Sequence, residues 1–172
     1  MDLKLTDEQF KDSVSKGIFD SMDQFKKEEF VKSSIDSLLK RSDNMIRKLS
    51  NKISVDNFKG AQGKKIKDLH LKDNTLVFIF SDNTGITFRD DGGETRCETR
   101  YMSTDDDLSY YSGANFIGAN LRKAPKIKGE IIHEVQFLAI FTSKGEFVMV
   151  NHAIHEGYYG GFAITVSKEE YK

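Results

Sequence analysis

The densest group of side chains capable of chemistry lies between residues 148 and 162, which read VMVNHAIHEGYYGGF. Its two histidines, His152 and His155, are three residues apart, and such a pair binds one metal ion only where the chain turns at once. The glycines that follow allow a tight turn. We therefore expect a strand from 148 and then a loop around the histidines. Imidazoles also hydrogen-bond and change charge near neutral pH, so this loop predicts one wall of a site.

A second stretch, 97–111, would complement this loop, because Arg100 and Tyr101 lie side by side there and Tyr110 follows nearby. An arginine beside aromatic rings commonly holds a nucleotide base and its phosphate. The alternative is a surface strand with alternating polar side chains. We predict that the two stretches meet in space and line one cavity. The residues predicted to bind a ligand are Arg100, Tyr101, Asp105, Tyr110, His152, His155, Tyr158 and Tyr159.

The sequence does not predict a metal centre or another cofactor. The histidine pair would need further ligands, and no recognised zinc-binding spacing is present. The candidates for such ligands are Cys97, Glu98, His133 and Asp105. The alternative is a pair of loop histidines that hydrogen-bond to backbone or carboxylate groups. The run 105–107 of three aspartates resembles a cation site, but consecutive carboxylates diverge, and a helix N-terminus explains them.

Composition narrows the class of protein. The net charge is −1 and 31% of the residues are charged, which argues against a generally basic nucleic-acid binder. A single cysteine excludes an internal disulfide framework and fits a reducing compartment. The longest apolar run, 76–80, is too short to span a bilayer, and the first residues carry charges where a signal peptide is apolar. We predict a soluble, cytoplasmic protein with no membrane partner and no specific nucleic-acid partner.

Residues 1–60 predict a helical segment. Apolar residues recur at helical spacing from 10 to 19, from 30 to 39 and from 45 to 53, and Ser42 is placed to cap the last of these helices. The apolar stripes must be buried somewhere. Two roles stay open: a cap on the rest of the same chain, or an arm that forms a homo-oligomer or binds a partner.

Residues 61–172 predict a β-rich domain that carries the site. Apolar residues alternate in short runs, and turn sequences such as Asp73-Asn74 separate these runs into consecutive hairpins. Thr104 is placed to cap one short inserted helix, 105–111. The predicted fold class is therefore α+β, with an N-terminal helical segment followed by a mainly antiparallel sheet or a small open barrel.

Three separated segments resemble a small domain family of unknown function from phages and mobile elements. They read CETRYMSTDDDL at 97–108, HEVQFL at 133–138 and HAIHEGYYGGF at 152–162. The family pattern at these places is C-E-x-R-Y-M-[ST]-T-D-D-D-L, H-E-V-Q-F-L and H-x-x-H-x-G-Y-Y-G-G-F. The resemblance covers about 63–167 and implies a phage or prophage setting, in which small proteins often blunt host defence. It implies no established chemistry.

Together these features predict a non-catalytic binding protein of phage type, a counter-defence inhibitor that captures a host protein or a nucleotide-like signal. The sequence contains no complete catalytic set, so an enzyme is the less favoured hypothesis. Its specific form is a metal-assisted hydrolase that uses His152, His155 and a carboxylate. A third hypothesis is a structural phage subunit that assembles through residues 1–60.

Overall fold

The computed structural model describes residues 24–49, 51–92, 98–124, 132–156 and 161–171. In these parts the helices are α1 (Gln24–Ile46) and α2 (Lys52–Ala61), and a short 3-10 helix covers Leu108–Tyr111. The strands are β1 (Ile66–Lys72), β2 (Thr75–Phe80), β3 (Thr84–Asp90), β4 (Glu98–Ser103), β5 (Phe116–Lys123), β6 (Ile132–Thr142), β7 (Gly145–His155) and β8 (Ile164–Glu170). Both helices precede the strands, as the sequence predicts.

The strands form two antiparallel sheets of four strands each, in the orders β1–β2–β3–β8 and β4–β7–β6–β5. Tight hairpins join β1 to β2, β2 to β3 and β6 to β7. In the β1–β2 turn, Asp73 and Asn74 have φ angles of 47° and 57°, as a type I′ turn requires. The predicted α+β class is confirmed, and the described strands build two separate sheets rather than one closed barrel.

The two sheets face each other across one aromatic core. Phe78 and Phe88 of the first sheet pack against Phe116 of the second, with ring centroids 5.3 and 6.3 Å from that of Phe116. Phe58 of α2 enters the same core, and its ring is 5.7 Å from Phe116 and nearly perpendicular to it. All four rings are fully buried. Such packing adds a geometric preference to the hydrophobic gain from burial.

Helix α1 covers part of the outer face of the second sheet. Leu38 and Leu39 pack there against the buried side chains of Ile117, Ala139 and Phe141. This contact explains why both faces of the second sheet are apolar near β5, since one face meets the first sheet and the other meets the helix.

The close approach of α1 to β5 depends on Gly118. A Cβ atom at this position would overlap the side chain of Ser42 on the helix. Ser42 lies inside α1 and donates its hydroxyl to the Leu38 carbonyl at 3.1 Å. It is therefore not the helix cap that the sequence predicts, and α1 continues to Ile46.

The residue that caps helix α2 was not predicted from the sequence. Asn51 caps it, because the Asn51 side-chain oxygen accepts a hydrogen bond of 2.8 Å from the Ser54 backbone N–H. The Ser54 hydroxyl in turn accepts a hydrogen bond from the Val166 N–H, and the Asn57 amide donates to the Val166 carbonyl. Ile53, which was predicted to lie on the apolar stripe, is 72% exposed.

The described helices pack on the sheets of their own chain, which is one of the two roles that the sequence leaves open. Oligomer formation through residues 1–60 and a division into domains 1–60 and 61–172 stay predictions. The helix predicted from 10 to 19 lies outside the described residues. Neither described helix is long and apolar enough to cross a membrane.

The turn after β4 also differs from its prediction. The 3-10 helix begins after Asp107, whose carboxylate accepts a hydrogen bond of 3.0 Å from the Ser109 N–H. Thr104 does not cap a longer helix, because the helix begins only at Leu108. The Thr104 hydroxyl donates to the Val148 carbonyl of β7 at 2.8 Å and accepts from the Asp106 N–H at 3.1 Å. The turn is therefore held against the second sheet by its side chains.

One side chain joins the β1–β2 turn of the first sheet to the second sheet. The Asn74 amide donates to the Arg100 carbonyl at 3.1 Å, and its oxygen accepts from the Met102 N–H at 3.2 Å. Both backbone groups belong to β4, which is the end strand of the second sheet.

Candidate functional site

The two stretches that the sequence singles out are neighbours in the second sheet. β4 pairs with β7, so that Tyr101 lies opposite His152 and Arg100 lies opposite Ala153. The Gly161 carbonyl, near the end of the second stretch, accepts a hydrogen bond of 3.0 Å from Arg100. The described parts of these stretches therefore do meet in space.

The two histidines lie on a strand and not in the loop that we expected. β7 continues to His155, and successive side chains of a strand point to opposite faces. His152 therefore points to the outer face of the second sheet, whereas His155 points between the sheets and is 3% exposed. The His155 Nε2 atom is 3.8 Å from Oε1 of Glu134.

This separation bears on the metal hypothesis. Residues three apart on a regular strand cannot turn both imidazoles toward one ion, because their side chains leave opposite faces. Among the residues that the structure describes, no three histidine, cysteine or carboxylate side chains are grouped so that they could hold a metal ion. His152 instead meets a histidine from the neighbouring strand.

On the outer face, Ser103, His152 and His133 form a hydrogen-bonded line that we call the serine–histidine row. The Ser103 hydroxyl oxygen is 2.9 Å from Nε2 of His152, and Nδ1 of His152 is 2.9 Å from Nε2 of His133. The Tyr101 ring lies flat on the His152 ring, with centroids 4.2 Å apart and planes 10° apart. Tyr101 is 37% exposed and the row itself is half-buried, so solvent reaches this surface.

His152 is neutral at neutral pH. Burial lowers the pKa of its imidazole below the ordinary value of 6.5, and His133 lowers this pKa further because a second positive charge would lie close by. A neutral imidazole has one donor nitrogen and one acceptor nitrogen. The row therefore has two possible arrangements of its hydrogen bonds. In one, Ser103 donates to His152 and His152 donates to His133. In the other, His133 donates to His152 and His152 donates to Ser103.

On the inner face, the same strand supplies most of a buried ion cluster that we call the arginine cluster: Arg100, Asp90 and Glu98. The Arg100 guanidinium lies 2.5 Å from a carboxylate oxygen of each acidic residue, and the three side chains are at most 10% exposed. It also donates to the carbonyls of Gly92 and Gly161. Because Asp90 ends β3, the cluster ties the first sheet to the second.

Of the remaining residues of the predicted site, Tyr110 and Asp105 belong neither to the serine–histidine row nor to the arginine cluster. Tyr110 is 48% exposed at the β6–β7 hairpin, where the ammonium nitrogen of Lys144 is 5.3 Å from its ring centroid. That hairpin is about 23 Å from His152 along β7, at the usual rise per residue of a strand. Asp105 is exposed in the turn after β4. Tyr158 and Tyr159 lie outside the described residues.

Apolar side chains border the serine–histidine row on the same face. Val150 lies opposite Ser103, and Phe137 lies opposite Val150 on the next strand. Val135 lies opposite His152 on β6. These three side chains are half-buried, so the row sits on a mixed apolar and polar surface.

Sequence reasoning missed Ser103 and considered His133 only as a possible metal ligand. Part of the signal was available, because Ser103 and Tyr101 are two residues apart in one strand and therefore share a face. The missing information was the register of β6 against β7. It places Val135 opposite His152, so that His133 becomes the diagonal neighbour of His152.

No family model, curated protein or solved structure matches this chain. The resemblance to a phage and mobile-element domain family therefore stays a prediction. What the site can do must follow from its geometry and its chemistry.

Proposed function

We propose that this chain is a binding protein of phage type that captures a host protein or a nucleotide-like ligand in the host cytoplasm and so counters a host defence. The observation that carries the proposal is the stacked pair of Tyr101 and His152 on an open face of the second sheet. The Tyr101 ring covers one face of the His152 ring, and its own free face is a flat aromatic surface with hydrogen-bonding groups nearby, a combination that suits a planar ligand.

Stacking supplies the attraction in this proposal. A nucleobase on an aromatic side chain contributes about 1–3 kcal/mol to binding. Aromatic side chains of a protein partner use the same attraction and are enriched at the centres of protein interfaces. Ser103 and His133 add hydrogen-bonding groups beside the platform. The common chemistry is therefore a planar ring with polar atoms at its edge.

The arginine cluster has a supporting role in this proposal. The guanidinium of Arg100 is 7% exposed and engaged by Asp90 and Glu98, so it is not positioned to take a ligand phosphate. We therefore propose that recognition rests on the ring of the ligand and not on its phosphate. This revises the role predicted for Arg100 from the sequence.

The direct test follows the histidine side-chain resonances by NMR while AMP, GMP, CMP or UMP is added. We expect the ring signals of His152 to shift in a saturable manner with at least one nucleotide. Tyr101→Ala should abolish that shift. Tyr110→Ala is the matched control, because it removes an exposed tyrosine beside the β6–β7 hairpin, which is about 23 Å from His152 along β7.

Protein partners need a second measurement. Tagged wild-type protein, Tyr101→Ala and Tyr110→Ala are incubated with host lysate, and the bound proteins are compared by mass spectrometry. The proposal expects one partner to be recovered with wild type and with Tyr110→Ala, and to be lost with Tyr101→Ala. Equal recovery by all three proteins, together with no nucleotide effect at His152, would exclude this surface as the binding site.

A further inference from the structure

We infer that Ser103 is a nucleophile, that His152 is its general base and that His133 positions His152, so that the serine–histidine row can cleave carboxylic esters or thioesters. This inference goes beyond the proposed binding function, because a captured ligand with such a group would be hydrolysed as well as held. It rests on the order of three groups and on their hydrogen bonds.

The order is the one that nucleophilic catalysis requires. A weak hydroxyl nucleophile needs a base within about 2.6–3.2 Å, and the base needs a third group that fixes its orientation. Ser103 Oγ lies 2.9 Å from Nε2 of His152, and the opposite ring nitrogen of His152 lies 2.9 Å from His133. The stack with Tyr101 restrains the plane of the same ring.

The row also has the protonation state that a base requires. Since burial and His133 both lower the pKa of His152, its imidazole is neutral at neutral pH and can accept a proton. In the active arrangement, the Ser103 hydroxyl donates to Nε2 of His152 and the Nδ1–H of His152 donates to Nε2 of His133. Tyr101 stacks on the His152 ring, and Ser103 and His133 hydrogen-bond to its two nitrogens.

The reaction balances without any further reactant except water. Ser103 Oγ bonds to the acyl carbon, its proton moves to Nε2 of His152, and the carbonyl electrons move onto the carbonyl oxygen. When the carbonyl re-forms, the bond to the alcohol or thiol breaks, and this leaving group takes the proton from His152. Water then adds to the acyl-serine with His152 as base, and the acid and Ser103 are released.

The neighbouring side chains indicate the substrate class. Val150 is directly opposite Ser103, and Phe137 is next to Val150 on the same face. An uncharged acyl group can lie on these apolar side chains, whereas a charged one would lose hydration without gaining a partner. The expected substrates are therefore esters or thioesters of short, uncharged acids.

A fluorophosphonate probe tests the nucleophile directly, because attack by a serine oxygen forms an O–P bond and expels fluoride. Intact-protein and peptide mass spectrometry should find one adduct on Ser103 of the folded wild-type protein at pH 8 and none after unfolding in urea. Ser103→Ala should lose the adduct. Ser167→Ala, which removes an exposed serine of the first sheet, should keep it. No adduct on wild-type Ser103 would overturn the inference.

Two further variants test the roles of the histidines, with circular dichroism as a check on folding. His152→Gln should slow labelling by about 100-fold or more, the usual effect of losing a general base. His133→Gln should slow it less and should move the pH midpoint of labelling upward, because His152 would lose the neighbour that depresses its pKa. Unchanged labelling in folded His152→Gln would contradict the assigned base.

Hydrolysis of p-nitrophenyl butyrate provides the turnover measurement. Wild type and Ser167→Ala should release p-nitrophenol at equal rates, and Ser103→Ala should fall to the rate of buffer. Equal rates for wild type and Ser103→Ala would overturn the inference. This failure is distinguishable from failure of the binding proposal, because nucleotide shifts at His152 do not require a reactive Ser103.

Discussion

The inner and outer faces of the β4–β7 pair differ in charge, burial and accessibility, although successive residues of the same strands build them. The inner face holds Glu98 and Arg100 in the arginine cluster, closed off from solvent. The outer face holds Tyr101 and Ser103 in contact with His152, open to solvent on one side. The first set joins the two sheets, and the second set is accessible from solvent.

This difference shows that residues close together in sequence do not necessarily contribute to the same site. Arg100 and Tyr101 are adjacent, yet their side chains leave opposite faces of β4. Arginine next to tyrosine therefore does not make a joint binding motif on a strand. The task of each residue follows from the side of the sheet to which it points.

The largest effect is expected from Arg100→Ala. It would leave the carboxylates of Asp90 and Glu98 buried without their cation, and breaking a buried ion pair in this way costs about 3–5 kcal/mol. The free energy of unfolding, measured by urea denaturation, should fall by that amount. Arg89→Ala, which removes an exposed ion pair with Asp91, should cost less than about 1 kcal/mol. If both variants lost a similar free energy of unfolding, the buried ion pairs of Arg100 would be no more important for stability than an exposed ion pair.

His152→Ala should affect stability less and ligand binding more. It removes the stacked contacts with Tyr101 and His133 and two hydrogen bonds on a half-buried face, which together contribute about 2 kcal/mol. His70→Ala, an exposed histidine paired with Asp68, is the control and should change the unfolding free energy by less than about 1 kcal/mol. A loss as large as that of Arg100→Ala would assign His152 to the structural framework.

The pH dependence of stability should also report on the outer face. Because the pKa of His152 is lower in the folded chain than the ordinary 6.5, the unfolded chain binds more protons as the pH falls through that value. Stability should therefore decline on acidification from about pH 6.5, by a modest amount. Urea denaturation at intervals from pH 8 to pH 5 should show a flatter profile for His152→Gln than for wild type. Identical profiles would mean that His152 titrates alike in both states.

The smallest effect is expected from Asp105→Ala. Asp105 is exposed in the turn after β4, away from the arginine cluster, and surface substitutions of this kind usually change stability by less than about 0.5 kcal/mol. Thermal unfolding and nucleotide titration should both match wild type. A loss of nucleotide binding in a stable Asp105→Ala protein would extend the ligand surface beyond the row and into this turn.

Local signals account for the parts of the fold that were predicted well. The turn at Asp73-Asn74 needs left-handed backbone at both residues, and this preference is readable from two residue types. The short apolar run 76–80, bounded by turn residues, likewise identifies β2 without any tertiary information. The helix boundary at Ser42 was predicted wrongly, because the contact with Gly118 that places Ser42 inside α1 lies far away in sequence.

The error at the histidines has a different physical cause. Along β7 the inward residues at this end include Asn151 and His155, so the usual alternation of apolar and polar side chains fades. Because strands are recognised by the alternation of apolar and polar residues, a strand that buries polar side chains is easily mistaken for a loop. The pairing of His133 with His152 could not be predicted either, since it depends on the register of two strands.

The amide of Asn74 has a consequence for the behaviour of the protein in a crowded solution. By donating to one backbone group of β4 and accepting from another, it occupies the bonds that an incoming strand from a second molecule would use. Exposed sheet margins invite such strand addition, which leads to fibrils and swapped dimers. Asn74 therefore protects the free edge of β4 from pairing with a strand of a second molecule. The outer face of the sheet beside Tyr101 remains uncovered.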